Sequence, residues 1–565
     1  MADGDVGKRI VADVIGEQPP PKPQFQVKGS DMPATARAVC ELLASGSSFY
    51  DRGGVMVQLV HPADGAMPVA AEVDVHGIVC EVHRLVQPMA WNGDTLKPVT
   101  LAERPAKMAL AQRGWWNLPA LDGVTTAPVL AGDGAILDRD GYDPGTRLWC
   151  AKVPALDVPD RPTQPQAAAA LARLRQVFRT FPFGDAPRVS AAVDGATVPV
   201  VDTGKPPLLD ETAALAALLT AVCRPSLHLA PGFLVTAAAL SGSGSGKGLL
   251  VRAINLIAFG VHPRAFTAGA EKGELDKRLT AELIEAAPAL FLDNVNGASL
   301  KSDTLASVMT ERPARVRVLG KSQMVPLNSC AFISLTGNGL AVSEDLARRF
   351  LSCNLDAQME DPEAREFAPG FLDRILAARP ALLAAVLIIW RWGRQNPSEM
   401  TRGLRLGSFE TWAEWVRDPL LTLGCADPVK RIQEAKAGDA RRRQVFELFD
   451  AWYAEHGDGQ KPAKDLHEDV RAIADPAGRG RQFLATFLDK LADTRAAGFV
   501  LRQHRPAGKW GTSRFSLEIV DEAAVQARAT ARRAAQSSQP EQQGTPMGYA
   551  DDPGWTPDDE AWAAD

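Results

Sequence analysis

The stretch SGSGSGKG at residues 241–248 holds the residue types best placed to do chemistry. A Gly-rich turn closing on Gly-Lys has the composition of a phosphate cradle. Its glycines let the backbone approach an anion, its N–H groups converge on it, and the lysine reaches the outer phosphates. Alternating Ser and Gly is equally the composition of a flexible linker, and the flanking residues separate the two readings. A cradle needs a buried strand before it and a helix after it, whose N-terminus adds the positive end of its dipole. FLVTAAAL (233–240) reads as that strand, and KGLLVRAINLIAFG (247–260) carries helical periodicity. The candidate nucleotide-binding residues are therefore Ser241, Gly242, Ser243, Gly244, Ser245, Gly246, Lys247, Gly248 and Leu249.

Further polar residues follow in the order such a site requires. ALFLDNV (289–295) is an apolar run ending in Asp293, the position of a carboxylate that organises Mg²⁺. CAFISLTGN (330–338) is a second run ending in Thr336 and Asn338, where a polar side chain orients the attacking water or senses the outer phosphate. DLARRFLSCNLD (345–356) presents Arg348 and Arg349, placed to stabilise transition-state charge at a neighbouring subunit's nucleotide. Three positions depart from the usual pattern. Ser241 stands where G-x-x-x-x-G-K-[ST] has its first glycine, and Gly248 stands where it has the metal-binding hydroxyl. Asn294 follows Asp293, and an amide can position water but cannot accept its proton. Glu274 in GELDKRL is a candidate substitute base, or simply a glutamate at a helix start.

Taken together, residues 230–356 resemble the core of an AAA+ ATPase, specifically the superfamily 3 helicase type encoded by phages, plasmids and integrated elements. The flanking GYDPGT and SFETWAEWVRDPLLTLGCADP stretches are similar to phage-type primase–helicase proteins, extending the likeness over residues 110–425. The resemblance implies ATP and Mg²⁺ as cofactors, a homo-hexameric ring, single-stranded or forked DNA as substrate, and a primase or other replication partner. It also implies a channel-lining hairpin within TERPARVRVLGKSQMVPL (310–327), with Lys321 at the tip and Arg315 and Arg317 on the approach. These would contact phosphates rather than bases. Helicase action and a DNA-bound ATP switch, such as an initiator or helicase loader, are both compatible with these residues.

The elements that must position these residues give an α/β fold class. Residues 206–425 alternate strand-like and helical runs, as expected for a parallel sheet with crossover helices forming a P-loop ATPase core with a helical lid. Residues 31–205 read as a mixed α+β N-terminal domain with helical ATARAVCELLAS, strand-like VMVQLV and a hairpin-rich GDGAILDRDGYDPGT. There EVDVH (72–76) would place Glu72, Asp74 and His76 on one strand face, a pattern that exposed polar alternation also explains. DRDGYD (138–143) reads as a tight turn rather than a calcium loop. Residues 440–520 read as three helices and a hairpin, a winged-helix-like DNA-binding domain whose basic face carries Arg502, Arg505, Lys509 and Arg514. A linker near 425–440, residues 1–30 and the acidic tail from 524 to 565 are expected to be unstructured.

Composition bounds the rest. The 565 residues are 46% hydrophobic and 23% charged, as in soluble globular proteins. A formal net charge of −6 argues against wholesale wrapping of nucleic acid, leaving DNA contact to local basic patches. Seven cysteines without a Cys-x-x-Cys pair support neither a zinc ribbon nor a disulfide framework. No apolar run is long enough to span a bilayer, so a cytoplasmic location without membrane contact is expected.

Overall fold

A strand buried on both faces must be apolar along its whole length, because successive side chains point to opposite sides. In the computed structural model five strands form one parallel sheet, β1 (Gly232–Ala237), β2 (Ala265–Phe266), β3 (Ala289–Leu292), β4 (Phe332–Asn338) and β5 (Phe350–Asn354); β1, β3 and β4 are buried along nearly their whole length, and the two-residue β2 is not. Their order is β2-β3-β4-β1-β5. The structure describes residues 21–537 apart from 47, 63–66, 239–242, 268–272, 296–299, 301, 318–323, 339–343, 361, 365–369, 438–439 and 506–511. By its contacts the chain divides into two compact units, residues 1–436 and 437–565.

The alternation is visible in the core. Phe233, Val235, Phe291, Phe332 and Leu351 face helices α1 (Lys247–Phe259), Leu209–Cys223 and Phe371–Gln395. Leu234, Leu290, Leu292, Ile333 and Leu335 face the other layer, which holds α2 (Glu274–Ile284) and helix Asp303–Thr310. Helix α1 is buried from Leu250 to Phe259 except at Arg252. Its last carbonyls are satisfied from outside the helix, as a buried helix end requires. Arg379 donates to Ile257 O (3.3 Å) and Ala258 O (3.1 Å), and Thr126 donates to Phe259 O. A cation at this negative end adds up to about 2 kcal/mol in partly buried sites.

The N-terminal segments pack directly on this core. Arg52, buried at the end of strand Phe49–Arg52, donates to Leu283 O at the end of α2 and to Leu121 O and Asp122 O. Gly53 turns with φ +61°, and a Cβ there would lie 2.0 Å from Pro326 O, so only glycine fits between this turn and the hairpin behind it. Helix Gln164–Phe178 is tied to the buried helix Leu209–Cys223 by a bidentate pair, Arg175 Nε–Glu211 Oε1 at 2.7 Å and Nη2–Oε2 at 3.0 Å. Burial pushes the Glu211 carboxyl up, against the pull of Arg175.

Four sequence-based expectations are corrected here. Gln24–Gln26, expected to be unstructured, pairs in parallel with Gln87–Met89. Asp74 does not sit on a strand with Glu72 and His76. The strand ends at Glu72, and the Asp74 carboxylate accepts from Gly77 N at 2.7 Å to cap helix Val75–Leu85. The expected linker contains helix Val429–Ala437, whose Val429 and Ile432 are buried and whose Val429 N donates to the Asp427 carboxylate. The expected tail begins with helix Glu522–Ser537, held to Asp450 by Arg528 at 2.6 Å.

The second unit places helices Ala440–His456, Glu468–Ala474 and Arg481–Leu491 around a four-stranded antiparallel sheet. Its core is Leu448, Phe449, Trp452, Leu488, Leu501 and Leu517.

Replacing Arg175 by Ala leaves the Glu211 carboxylate buried without its partner. Urea unfolding should show about 3–5 kcal/mol lost, and the double replacement Arg175→Met with Glu211→Leu should recover most of it.

Candidate functional site

The carboxyl edge of the parallel sheet is where open α/β sheets bind ligands, and the nucleotide candidates meet there. After β1 the described chain resumes at Ser243, in a turn where Gly244 and Gly246 have φ of +73° and +93°. Such left-handed backbone is open to glycine at no steric cost. Gly246 caps α1, so Lys247 begins the helix and the first N–H groups of α1 lie at the turn. Lys247 Nζ donates to Ser245 Oγ at 3.2 Å, and Ser245 is buried. Burial pushes the Lys247 ammonium below its ordinary range, opposed by the nearby Asp293 carboxylate. Ser241 and Gly242 lie outside the described residues, while Leu249 is half-buried at the helix start.

Asp293 follows the last residue of β3 and reaches back to the same turn. A Cβ on Gly248 would lie 3.7 Å from both Asp293 carboxylate oxygens. Thr336 Oγ1 donates to Asp293 Oδ1 at 2.5 Å and accepts from Asn294 N at 3.0 Å. That hydroxyl fixes the turn in which Asn294 adopts φ +57°, exposed at the sheet edge, a conformation Asn tolerates better than most residues. Asn338 lies in register with Ala237, the last residue of β1, beside the Gly-rich turn. Lys247, Gly248, Asp293, Asn294 and Asn338 therefore gather at one edge, although more than 90 residues separate the first from the last.

Arg348 and Arg349 do not join them. They precede Phe350, which pairs with Gly232 at the start of β1, and Gly232 N donates to Arg349 O at 2.9 Å. Both therefore stand at the amino edge, one strand length from Lys247. Glu274 starts α2 with Lys277 at 3.6 Å and Arg278 at 3.3 Å, on its own helix.

The expected hairpin is present. Ala314–Arg317 pairs antiparallel with Met324–Leu327; Val316 and Val325 are buried, while Arg315 and Arg317 are exposed on the opposite face. Lys321 lies outside the described residues. In the second unit Arg505 and Arg514 are exposed, and Lys509 lies outside the described residues. Arg502 is half-buried, and its guanidinium is paired with Glu518 at 2.9 Å and Asp493 at 2.6 Å, which raise its pKa. Its charge already has partners on its own sheet, so its contribution to a basic face is offset.

Two contacts escaped sequence reasoning. Ser243 donates to the Glu363 carboxylate, and a Cβ on Gly244 would lie 2.6 Å from the Glu363 backbone, so that segment lies against the turn. No sequence signal joins residues 120 positions apart. Arg252 Nη2 lies 3.6 Å from Asp293 Oδ2. A signal for this one existed, since residues 248 and 252 share a helix face at i,i+4.

The arrangement fits a triphosphate: a glycine turn, a helix N-terminus and a lysine face one point. It does not fit Mg²⁺ as well. The octahedral ion needs oxygen donors at close range, yet Gly248 offers no hydroxyl, and the Asp293 oxygens already face Thr336 and Arg252.

No family model matches the sequence, and no curated protein matches it. Among solved structures the chain is similar to the A-form apo structure of the NrS-1 C-terminal region (residues 305–718). The identity is 12%, the match covers 65% of this chain and 77% of that one, and the TM-score is 0.30. A likeness that distant assigns neither fold nor activity. Among the described residues no helix is long and apolar enough to cross a membrane.

Thr336→Val keeps the shape of the side chain but strands Asn294 N–H and frees Asp293. Urea unfolding should register a loss of about 1–3 kcal/mol, largely restored in Thr336→Ser.

Proposed function

We propose that residues 206–425 are an AAA+ ATPase of the superfamily 3 helicase type. On this reading the chain is an ATP-driven translocase or helicase on single-stranded or forked DNA, serving replication of a phage, plasmid or integrated element. One observation carries it: Lys247, at the N-terminus of α1, lies by Asp293 at the carboxyl edge of a parallel sheet, with Asn338 beside the same turn. ATP is the nucleotide the reading requires. The triphosphate would sit on the turn 243–249, held by the N–H groups of α1 and by Lys247. Mg²⁺, the other expected cofactor, lacks a fitting donor set here, and no step is assigned to it.

The amino-edge position of Arg348 and Arg349 supports a role for them at a neighbouring chain's nucleotide, in a ring of the hexameric kind the resemblance implies. Arg315 and Arg317, exposed at the hairpin base, would follow the phosphate backbone of DNA toward Lys321. The second unit, read as a winged-helix-like module, would add phosphate contacts through Arg502, Arg505, Lys509 and Arg514.

A second reading, a DNA-bound ATP switch without processive unwinding, is favoured by Asn294. Its amide cannot take a proton from water, and slow turnover suits a switch better than a motor.

Lys247→Ala should abolish ATP binding and turnover, and undiminished turnover in that variant would sink the site assignment. Mixing Lys247→Ala chains with Arg348→Ala/Arg349→Ala chains should restore part of the activity that each lacks alone, because the mixed ring contains intact sites. No recovery on mixing would place the arginines outside the site.

Arg315→Ala/Arg317→Ala should weaken single-stranded DNA binding at least about tenfold at low salt and flatten its salt dependence, as loss of two phosphate contacts requires. Nucleotide binding should be unchanged. A forked-duplex assay separates the two readings: strand separation marks a helicase, and DNA-stimulated turnover without it marks the switch.

A further inference from the structure

We infer that Arg252 is the phosphate-facing cation of this site, supplying the positive charge that a hydroxyl-held metal would otherwise supply, so that the chain binds nucleoside triphosphate without a divalent ion. The inference rests on the reading of residues 243–249 as a nucleotide site, and it goes beyond that reading in naming what neutralises the phosphates.

Three observations converge on this arginine. Arg252 is the one residue between Leu250 and Phe259 that is not buried, on a helix otherwise packed into the core. Its guanidinium reaches toward the helix N-terminus, with Nη1 3.0 Å from where a Cβ on Gly248 would be and Nη2 3.6 Å from Asp293 Oδ2. Its Cζ lies 5.7 Å from the centre of the Phe291 ring, within cation–π reach of the β3 strand.

The glycine makes the arrangement possible. A side chain at position 248 would compete with the guanidinium for the same space beside Asp293, so Gly248 and Arg252 work as a pair. In exchange for a hydroxyl and an octahedral ion, the site has a permanent charge with a five-donor fork that binds phosphate oxygens bidentately. Asp293 then serves as a positioning residue, orienting Arg252 with one oxygen while the other is held by Thr336. Lys247 supplies the second cation on the same face of the turn.

The test is equilibrium titration of the full chain with a fluorescent ATP analogue, in Mg²⁺ buffer and in EDTA. The native chain should bind within about threefold in the two buffers. Arg252→Ala should bind at least about tenfold more weakly in EDTA. Arg252→Lys should recover only part of that loss, since an ammonium keeps the charge but not the fork. Gly248→Ser, which installs the missing hydroxyl and displaces the guanidinium, should make binding tighter in Mg²⁺ than in EDTA. Far-UV circular dichroism and the urea midpoint of each variant should match the native chain, because Arg252 is partly exposed and its ion pair with Asp293 is a loose 3.6 Å. Native binding that collapses in EDTA, or EDTA binding indifferent to Arg252→Ala in a folded variant, overturns the role of the arginine. If that binding is still lost in Lys247→Ala, the nucleotide site stands. No saturable binding in either buffer, or full binding by Lys247→Ala, would remove the site itself.

Discussion

Everything at the carboxyl edge depends on helix α1 being held rigidly along its axis. Its flank is buried nearly all the way round, and its C-terminus is locked by Arg379 and Thr126, which reach its last carbonyls from helix Phe371–Gln395 and from the N-terminal region. With that end fixed, the N-terminus has one place to be, and the sheet register does the rest. Ala237 opposite Asn338 and Leu292 opposite Leu335 set the polar strand ends level with the first turn of the helix. A one-residue slip in either pairing would exchange the residues facing the two layers and shift Asp293 or Asn338 along the strand axis away from the turn. The chemistry of the edge is therefore a by-product of apolar packing at a distance from it.

Much of this was legible in the sequence, for a physical reason. Parallel strands buried on both faces are written as unbroken apolar runs, and the polar residue ending each run marks the sheet edge, as Asp293 and Asn338 do. The hairpin of 314–327 was legible through its alternation of Ala314 and Val316 with Arg315 and Arg317. What stayed hidden were contacts made across long sequence separations by charged side chains. Arg379 reads as an ordinary helix arginine, Glu363 as a loop acid and Arg502 as a free basic residue, because composition records a charge but not its partner. Short elements were hidden too. Gln24–Gln26 has no pattern long enough to detect, and Asp74 looks like a strand residue until its carboxylate is seen capping a helix.

The N-terminal region is more than an appendage to this core. Tyr50, Val55 and Val57 share one hydrophobic cluster with Val316 and Val325 of the hairpin and with Leu290 and Leu292 of β3. The turn at Gly53 closes on Pro326 with no room for a side chain, and Arg52 ties the same turn to the end of α2. The base of the hairpin is thus clamped between the sheet and the N-terminal strands. Any movement of the hairpin base would have to carry these strands along.

The separation of Lys247 from Arg348 and Arg349 has a geometric consequence of its own. The two groups occupy opposite edges of one sheet, so they belong to different surfaces of the molecule. A ring that unites them joins unlike patches head to tail, each chain turning its carboxyl edge to one neighbour and its amino edge to the other. Such contacts are heterologous. They repeat at every junction, give the assembly a single direction, and either close through a rotation that divides the circle or continue as a helix.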